Sequence, residues 1–157
     1  MLEASPGEPL PEFPKPTHCD PDLLDQHPDR RPWLTVNRAI AGIPRTTSMH
    51  NPPPISRNPT FVIGATGDWL SKYLPYNGNQ PMTSTITCAA GQSYHPSGQR
   101  DFTLREIACL QGFPLEHEFA DHGKGKIRKQ IGNAVPPIVA KVFFEQIVRA
   151  LKNADGV

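Results

Sequence analysis

Cysteine is scarce. Cys19, Cys88 and Cys109 are widely spaced, odd in number and without a Cys-x-x-Cys pair, which argues against both a disulfide framework and a zinc site. Long apolar runs are missing as well: nothing approaches the roughly 20 residues of a membrane-spanning helix, and Met1–Glu12 has neither a basic start nor an apolar stretch of signal-peptide length. The composition reads as that of a soluble, intracellular chain without a membrane partner. Charge of one sign is absent too, since 16 Lys and Arg against 15 Asp and Glu leave a formal charge of +1. No global field therefore draws in DNA or acidic substrates, and any such binding has to be local. The 6 histidines are scattered, with no His-x-x-x-His, and no Walker loop occurs, so neither metal nor nucleotide hydrolysis is indicated.

What the chain does have is proline. Among 157 residues there are 19 Pro and 12 Gly, which excludes a uniformly helical protein. Thirteen of those 19 prolines precede residue 61, so residues 1–60 read as an extended strap or linker that needs a surface to lie on. Within that strap Trp33–Pro44 is the only apolar segment, which suggests a strand at Leu34–Val36 and then one helical turn ended by Gly42 and Pro44. Met49–Pro59 reads as a loop, and Phe61–Ile63 and Thr85–Cys88 as short strands.

From Asp101 the local signals agree with one another. Thr103-Leu104-Arg105-Glu106 is a capping box, Phe102 and Ile107 are placed for a hydrophobic staple, and Gly112 and Pro114 stop the chain, which predicts a helix over Leu104–Gln111. A second helix is expected from Pro136-Pro137 to about Leu151, because proline is tolerated where first-turn amides have no intrahelical partner. Val139, Phe143, Ile147 and Leu151 form one stripe at i, i+4, Ile138 and Val142 lie beside it, and Lys141, Glu145 and Arg149 make a charge ladder elsewhere on the helix. Burying such side chains is worth about 1.5–3 kcal/mol each, an upper bound for an unfolded chain that is already partly collapsed. A loop-rich chain of 157 residues offers few surfaces for that stripe, so the helix suits docking onto a larger structure, the other possibility being an ordinary core helix.

Two features bear on ligands. Gly132-Asn133 at a helix entrance offers close backbone approach, a side-chain amide and free main-chain amides, although turn and cap chemistry also accounts for the pair. Lys124, Lys126, Arg128 and Lys129, interleaved with two glycines that would keep the backbone mobile, form either a phosphate-binding segment or a solvated surface loop.

Arg100–Pro114 (RDFTLREIACLQGFP) and Lys129–Ile147 (KQIGNAVPPIVAKVFFEQI) together resemble the last two sequence blocks of the cytosine-5 DNA methyltransferases, with about that family's spacing. Thr85–Phe102 resembles the segment leading into the first block, and Gly7–His18 with Trp33–Pro44 the stretch after the catalytic core, in phrasing nearest to fungal-type members. The resemblance implies an α+β chain: a loop-rich recognition segment with short strands over 61–130, including the capped helix at 103–111, and a helix over 131–157 that packs on a Rossmann-like methyltransferase sheet. It implies S-adenosylmethionine as cofactor, met by Asn133, Ala134 and Val135, and DNA as partner, met by Thr85, Arg105, Lys124, Lys126 and Arg128. It further implies that Arg105 and Glu106 brace the recognition domain, and a nuclear location. The family's catalytic Pro-Cys and Glu-Asn-Val motifs, its Phe-x-Gly-x-Gly loop and its Gln-x-Arg-x-Arg block do not occur here, so no catalytic residue is assigned. The chain then reads as the C-terminal third of an enzyme, active only with a separately encoded or missing catalytic half. A non-catalytic DNA-binding or assembly module and a truncated gene product are the alternatives.

Overall fold

A computed structural model describes residues 11–50, 75–88, 95–98, 100–120 and 123–155. The element order is β1 (His18–Cys19), a 3-10 turn (Pro21–Leu23), β2 (Arg31–Pro32), α1 (Val36–Ile40), α2 (Leu104–Leu110), α3 (Lys124–Asn133) and α4 (Pro137–Asp155). The chain divides into two compact units, Met1–Trp33 with Val135–Val157, and Leu34–Ala134. Among the described residues, no helix is long and apolar enough to cross a membrane.

In the first unit β1 and β2 pair in parallel, His18 opposite Arg31 and Cys19 opposite Pro32. Pro32 fits because proline has no N–H for the ladder and is confined to edges. The connection, residues 20–30, begins with the turn Pro21–Leu23, capped by Asp20, whose carboxylate accepts from the Asp22 amide at 3.1 Å. Helix α4 begins at Pro137, as the Pro-Pro pair predicts, and extends four residues past the expected end, to Asp155. Phe13, from the proline-rich segment, sets its ring edge-on to Phe143, with centroids 6.0 Å apart.

The second unit holds the buried core. Val36, Phe102, Ile107, Ala108, Ile127 and Ile131 form one cluster, contributed by α1, α2 and α3 and by the residue before the α2 cap. Helix α2 lies between the other two, packing on both α1 and α3. Its ends follow the sequence closely: the Glu106 amide donates to Thr103 Oγ1 at 3.2 Å, the Thr103 amide donates to Glu106 Oε2 at 2.7 Å, and Gly112 takes a φ of 85°.

Four local expectations are corrected. Leu34–Val36 is not a strand: Val36 opens α1, because the Thr35 hydroxyl accepts from the Arg38 amide at 3.4 Å and caps a helix there. Thr85–Cys88 is not a strand either. It runs irregularly against the end of α3, with no neighbouring strand among the described residues to pair with. The Lys124–Lys129 segment is helical rather than a mobile loop. Gly123, at a φ of 79°, starts the helix, and Gly125 falls in the first turn, where the amides have no intrahelical partner and a glycine is least costly. Gly132-Asn133 consequently ends α3 instead of opening the next helix. Phe61–Ile63 lies outside the described residues, as does most of Met49–Pro59.

Candidate functional site

The N-terminal end of α2 is a polar hub inside the core. Glu106 is buried, and besides closing the capping box its carboxylate receives both guanidinium nitrogens of Arg100, at 2.7 Å each. Burial alone would raise the Glu106 pKa, but the Arg100 pair and the Thr103 amide outweigh it and hold the carboxyl below its usual range. His95 stands 3.7 Å from the same carboxylate, and His50 shares a 3.0 Å hydrogen bond with the Thr103 hydroxyl. Both imidazoles are pushed down, first by burial and then by Arg100, with Glu106 opposing.

Arg105, next in sequence, is only 1% exposed. Its Nε donates to the Ser48 carbonyl at 3.1 Å and its Nη1 to the His117 carbonyl at 2.9 Å, while its guanidinium carbon lies 5.9 Å from the Phe119 ring centroid. Met49, between Ser48 and the buried His50, holds a left-handed φ of 63°. Arg105 thus ties two loops 57 and 12 residues away to one helix, with Nε and Nη1 each engaged by a main-chain oxygen.

The C-terminal end of α3 carries the other constellation. Ile131 is fully buried and anchors the turn, while Asn133, two residues on, is exposed. Gly132 lies so close to the 87–88 segment that a Cβ would sit 2.8 Å from the Cys88 amide nitrogen and 2.9 Å from the Thr87 carbonyl carbon. Only glycine permits that approach. On one side the Cys88 thiol donates to Asn133 Oδ1 at 3.0 Å, with the Lys129 carbonyl a distant 3.9 Å alternative. On the other, Gln111 at the end of α2 donates from Nε2 to the Ala134 carbonyl at 2.9 Å. The 132–134 turn is therefore gripped from two directions before Val135, whose side chain is 66% exposed.

Asn133 and Ala134 thus lie on one supported turn, and Val135 follows them in the chain. Thr85 is exposed on the segment that leads to Cys88. Lys124, Lys126 and Lys129 are exposed on α3, Arg128 is half-buried, and no acidic residue interrupts them. In a helix Lys124 and Arg128 share one face at i, i+4, whereas Lys126 and Lys129 share another at i, i+3. Burial pushes the Cys109 thiol up, which disfavours its thiolate. Among the described residues no three His, Cys, Asp or Glu side chains converge as a metal site would require. Sequence reasoning missed Arg100, Gln111, Cys88 and the two histidines. Their partners are fixed by folding, and only Arg100, six residues from Glu106, left a short-range signal.

Across residues 25–149 the sequence matches the C-5 cytosine-specific DNA methylase family. The chain belongs to that family. DNA (cytosine-5)-methyltransferase 2 of Arabidopsis thaliana is 39% identical over 89 residues, an alignment covering 54% of this chain and 6% of the plant protein. The type II methyltransferase M.AquIB of Picosynechococcus is 37% identical over 92 residues, covering 50% of this chain and 66% of its own length. M1.HphI of Haemophilus parahaemolyticus is 28% identical over 147 residues, or 94% of this chain and 37% of that methyltransferase. This C-5 methylase chain therefore spans only part of these relatives. No solved structure matches it.

Proposed function

We propose that this chain supplies the recognition segment and the cofactor-closing turn of a DNA (cytosine-5)-methyltransferase, and that it does not turn over alone. The observation that carries this is the 132–134 turn, gripped by Cys88 and Gln111 within a Gly-Asn-Ala-Val-Pro context. S-adenosylmethionine fits what the turn offers: an exposed side-chain amide on Asn133, a backbone fixed at Ala134 and an exposed apolar side chain at Val135. When bound, that cofactor supplies the methyl group. This chain's own residues orient it, Asn133 by hydrogen bonding, Ala134 through the fixed backbone and Val135 by apolar contact.

DNA is the proposed substrate. Thr85, Lys124, Lys126 and Arg128 would face its backbone, and the four cations of α3 make the local field that a net charge of +1 does not. Arg105 leaves that group, since its guanidinium already serves two carbonyls and braces the recognition segment. Helix α4 docks its apolar surface on a Rossmann-like sheet outside this chain. None of the three cysteines follows a proline, so the nucleophile that attacks cytosine comes from a separate or adjoining catalytic part. A nuclear location is part of this proposal.

The test is methyl transfer to duplex DNA, measured for the chain alone and for the chain joined with the catalytic part of a cytosine-5 methyltransferase. Transfer by the pair and not by the chain is expected, and Asn133→Ala should raise the KM for S-adenosylmethionine. Transfer by the isolated chain would refute the division of labour. An inactive pair with salt-sensitive DNA binding would support a non-catalytic binding module instead.

A further inference from the structure

We propose that Cys88 is a positioning residue for Asn133, its thiol fixing which end of the Asn133 side-chain amide faces the cofactor. A neutral thiol has a hydrogen to give, and Asn133 presents one acceptor oxygen and one NH2 group. With Sγ 3.0 Å from Oδ1, the oxygen is held toward Cys88 and the NH2 group is left facing away, free to donate. The amide would otherwise be indifferent to a half-turn about its last bond, since an exposed asparagine places either end outward at little cost.

The main chain reinforces this orientation. Gly132 packs directly on the Thr87–Cys88 peptide, so the thiol and the amide are carried by two backbones in contact and not by two independent surface side chains. Gln111 holds the Ala134 carbonyl at 2.9 Å, a second tie that fixes the residue after Asn133. The second acceptor within reach, the Lys129 carbonyl at 3.9 Å, is too far to compete at the shorter bond's expense. What Cys88 selects is therefore a donor at position 133 for an acceptor atom of the ligand.

Cys88 acquires this role only if Asn133 meets S-adenosylmethionine, as proposed above, and the two ideas fail differently. In the chain joined with its catalytic part, Cys88→Ala should raise the KM for S-adenosylmethionine about two- to fivefold with kcat little changed, the loss of one weak oriented hydrogen bond. Cys88→Ser, which keeps a donor, should restore most of it. Because Cys88 acts through Asn133, adding Cys88→Ala to Asn133→Ala should cost nothing further. In the chain alone, the Asn133 side-chain NH2 resonances should shift in Cys88→Ala and return in Cys88→Ser, while the amide signals of Ile107 and Ile131 report an intact core. Additive losses, an unchanged KM in Cys88→Ala, or no rescue by serine would overturn the positioning role. Should Asn133→Ala itself leave the KM unchanged, the cofactor reading of the turn falls, and the positioning role with it.

Discussion

Helix α2 has 7 residues and buries four of them, Arg105, Glu106, Ile107 and Ala108, whereas α4 has 19 and buries none of those described. The shorter helix would be marginal alone, since an isolated helix of that length does not persist in water. It is held by a capping box, an internal ion pair and two helices packed on it. The longer one sustains its own hydrogen bonds yet leaves Ile138, Val139, Phe143, Phe144, Val148 and Leu151 exposed. The exposed apolar surface is wider than the stripe read from sequence, although Ile147 within that stripe is half-buried. Length and amphipathic pattern therefore say little about whether a helix completes its packing inside the chain. For α2 the pattern is answered locally; for α4 it is consistent with the docking role proposed for it.

The contrast is broken most severely at Glu106. Replacing it with Ala takes the carboxylate from the half-buried Arg100 guanidinium, which keeps only the Asp101 carbonyl at 3.0 Å, and removes half of the α2 capping box, for an expected loss of about 3–5 kcal/mol in denaturant unfolding. A loss under about 1 kcal/mol would show that the hub is ornamental. Ile131→Ala, at a fully buried site, should cost about 2–5 kcal/mol by the same measurement.

Acid should act on the second unit through the same hub. His50 and His95 have folded pKa values below their ordinary 6.5, so the unfolded chain takes up protons first and stability falls as the pH drops below that value. Glu106, depressed from 4.5, has the same sign at lower pH: its contribution is intact above that value and is lost as the pH falls toward its folded pKa. A midpoint that stays flat as the pH falls from about 7 to 5 would contradict the histidine part, and one that stays flat from about 5 to 3 the Glu106 part. Replacing both histidines with Gln should remove the upper part of the slope and spare the lower.

The smallest stability effect is expected in α4. Phe143→Ser with Phe144→Ser should change unfolding of the chain by less than about 1 kcal/mol, because these rings are 43% and 65% exposed and have little burial to lose. The same pair should sharply reduce hydrophobic-dye fluorescence and self-association, measured by sedimentation. If the unfolding change matched that of Ile131→Ala, the supposed difference between the helices would disappear.

Much of this was legible in the residues themselves. The cap at Thr103, the stop at Gly112 and the proline start of α4 rest on contacts within a few positions, and local backbone chemistry dictates those directly. Glycines misled where they were taken as mobility: Gly123 and Gly125 admit a helix start, and the Lys, Arg and Gln that follow are good helix formers. The grip on the 132–134 turn left no trace, because Cys88 and Gln111 reach it from 45 and 23 residues away.

By itself, then, the sequence determined the ends of α2 and the proline start of α4, and it named the family, because caps, breakers and motif spacing act over short stretches of chain. The tertiary structure alone decided which groups Arg105 braces, the Ser48 and His117 carbonyls, that Glu106 pairs with Arg100, that a cysteine addresses Asn133, and that α4 keeps an apolar surface open. Each of those outcomes depends on which distant atoms come within about 3 Å of one another, and hydrogen bonding and burial are set by that proximity and not by order along the chain.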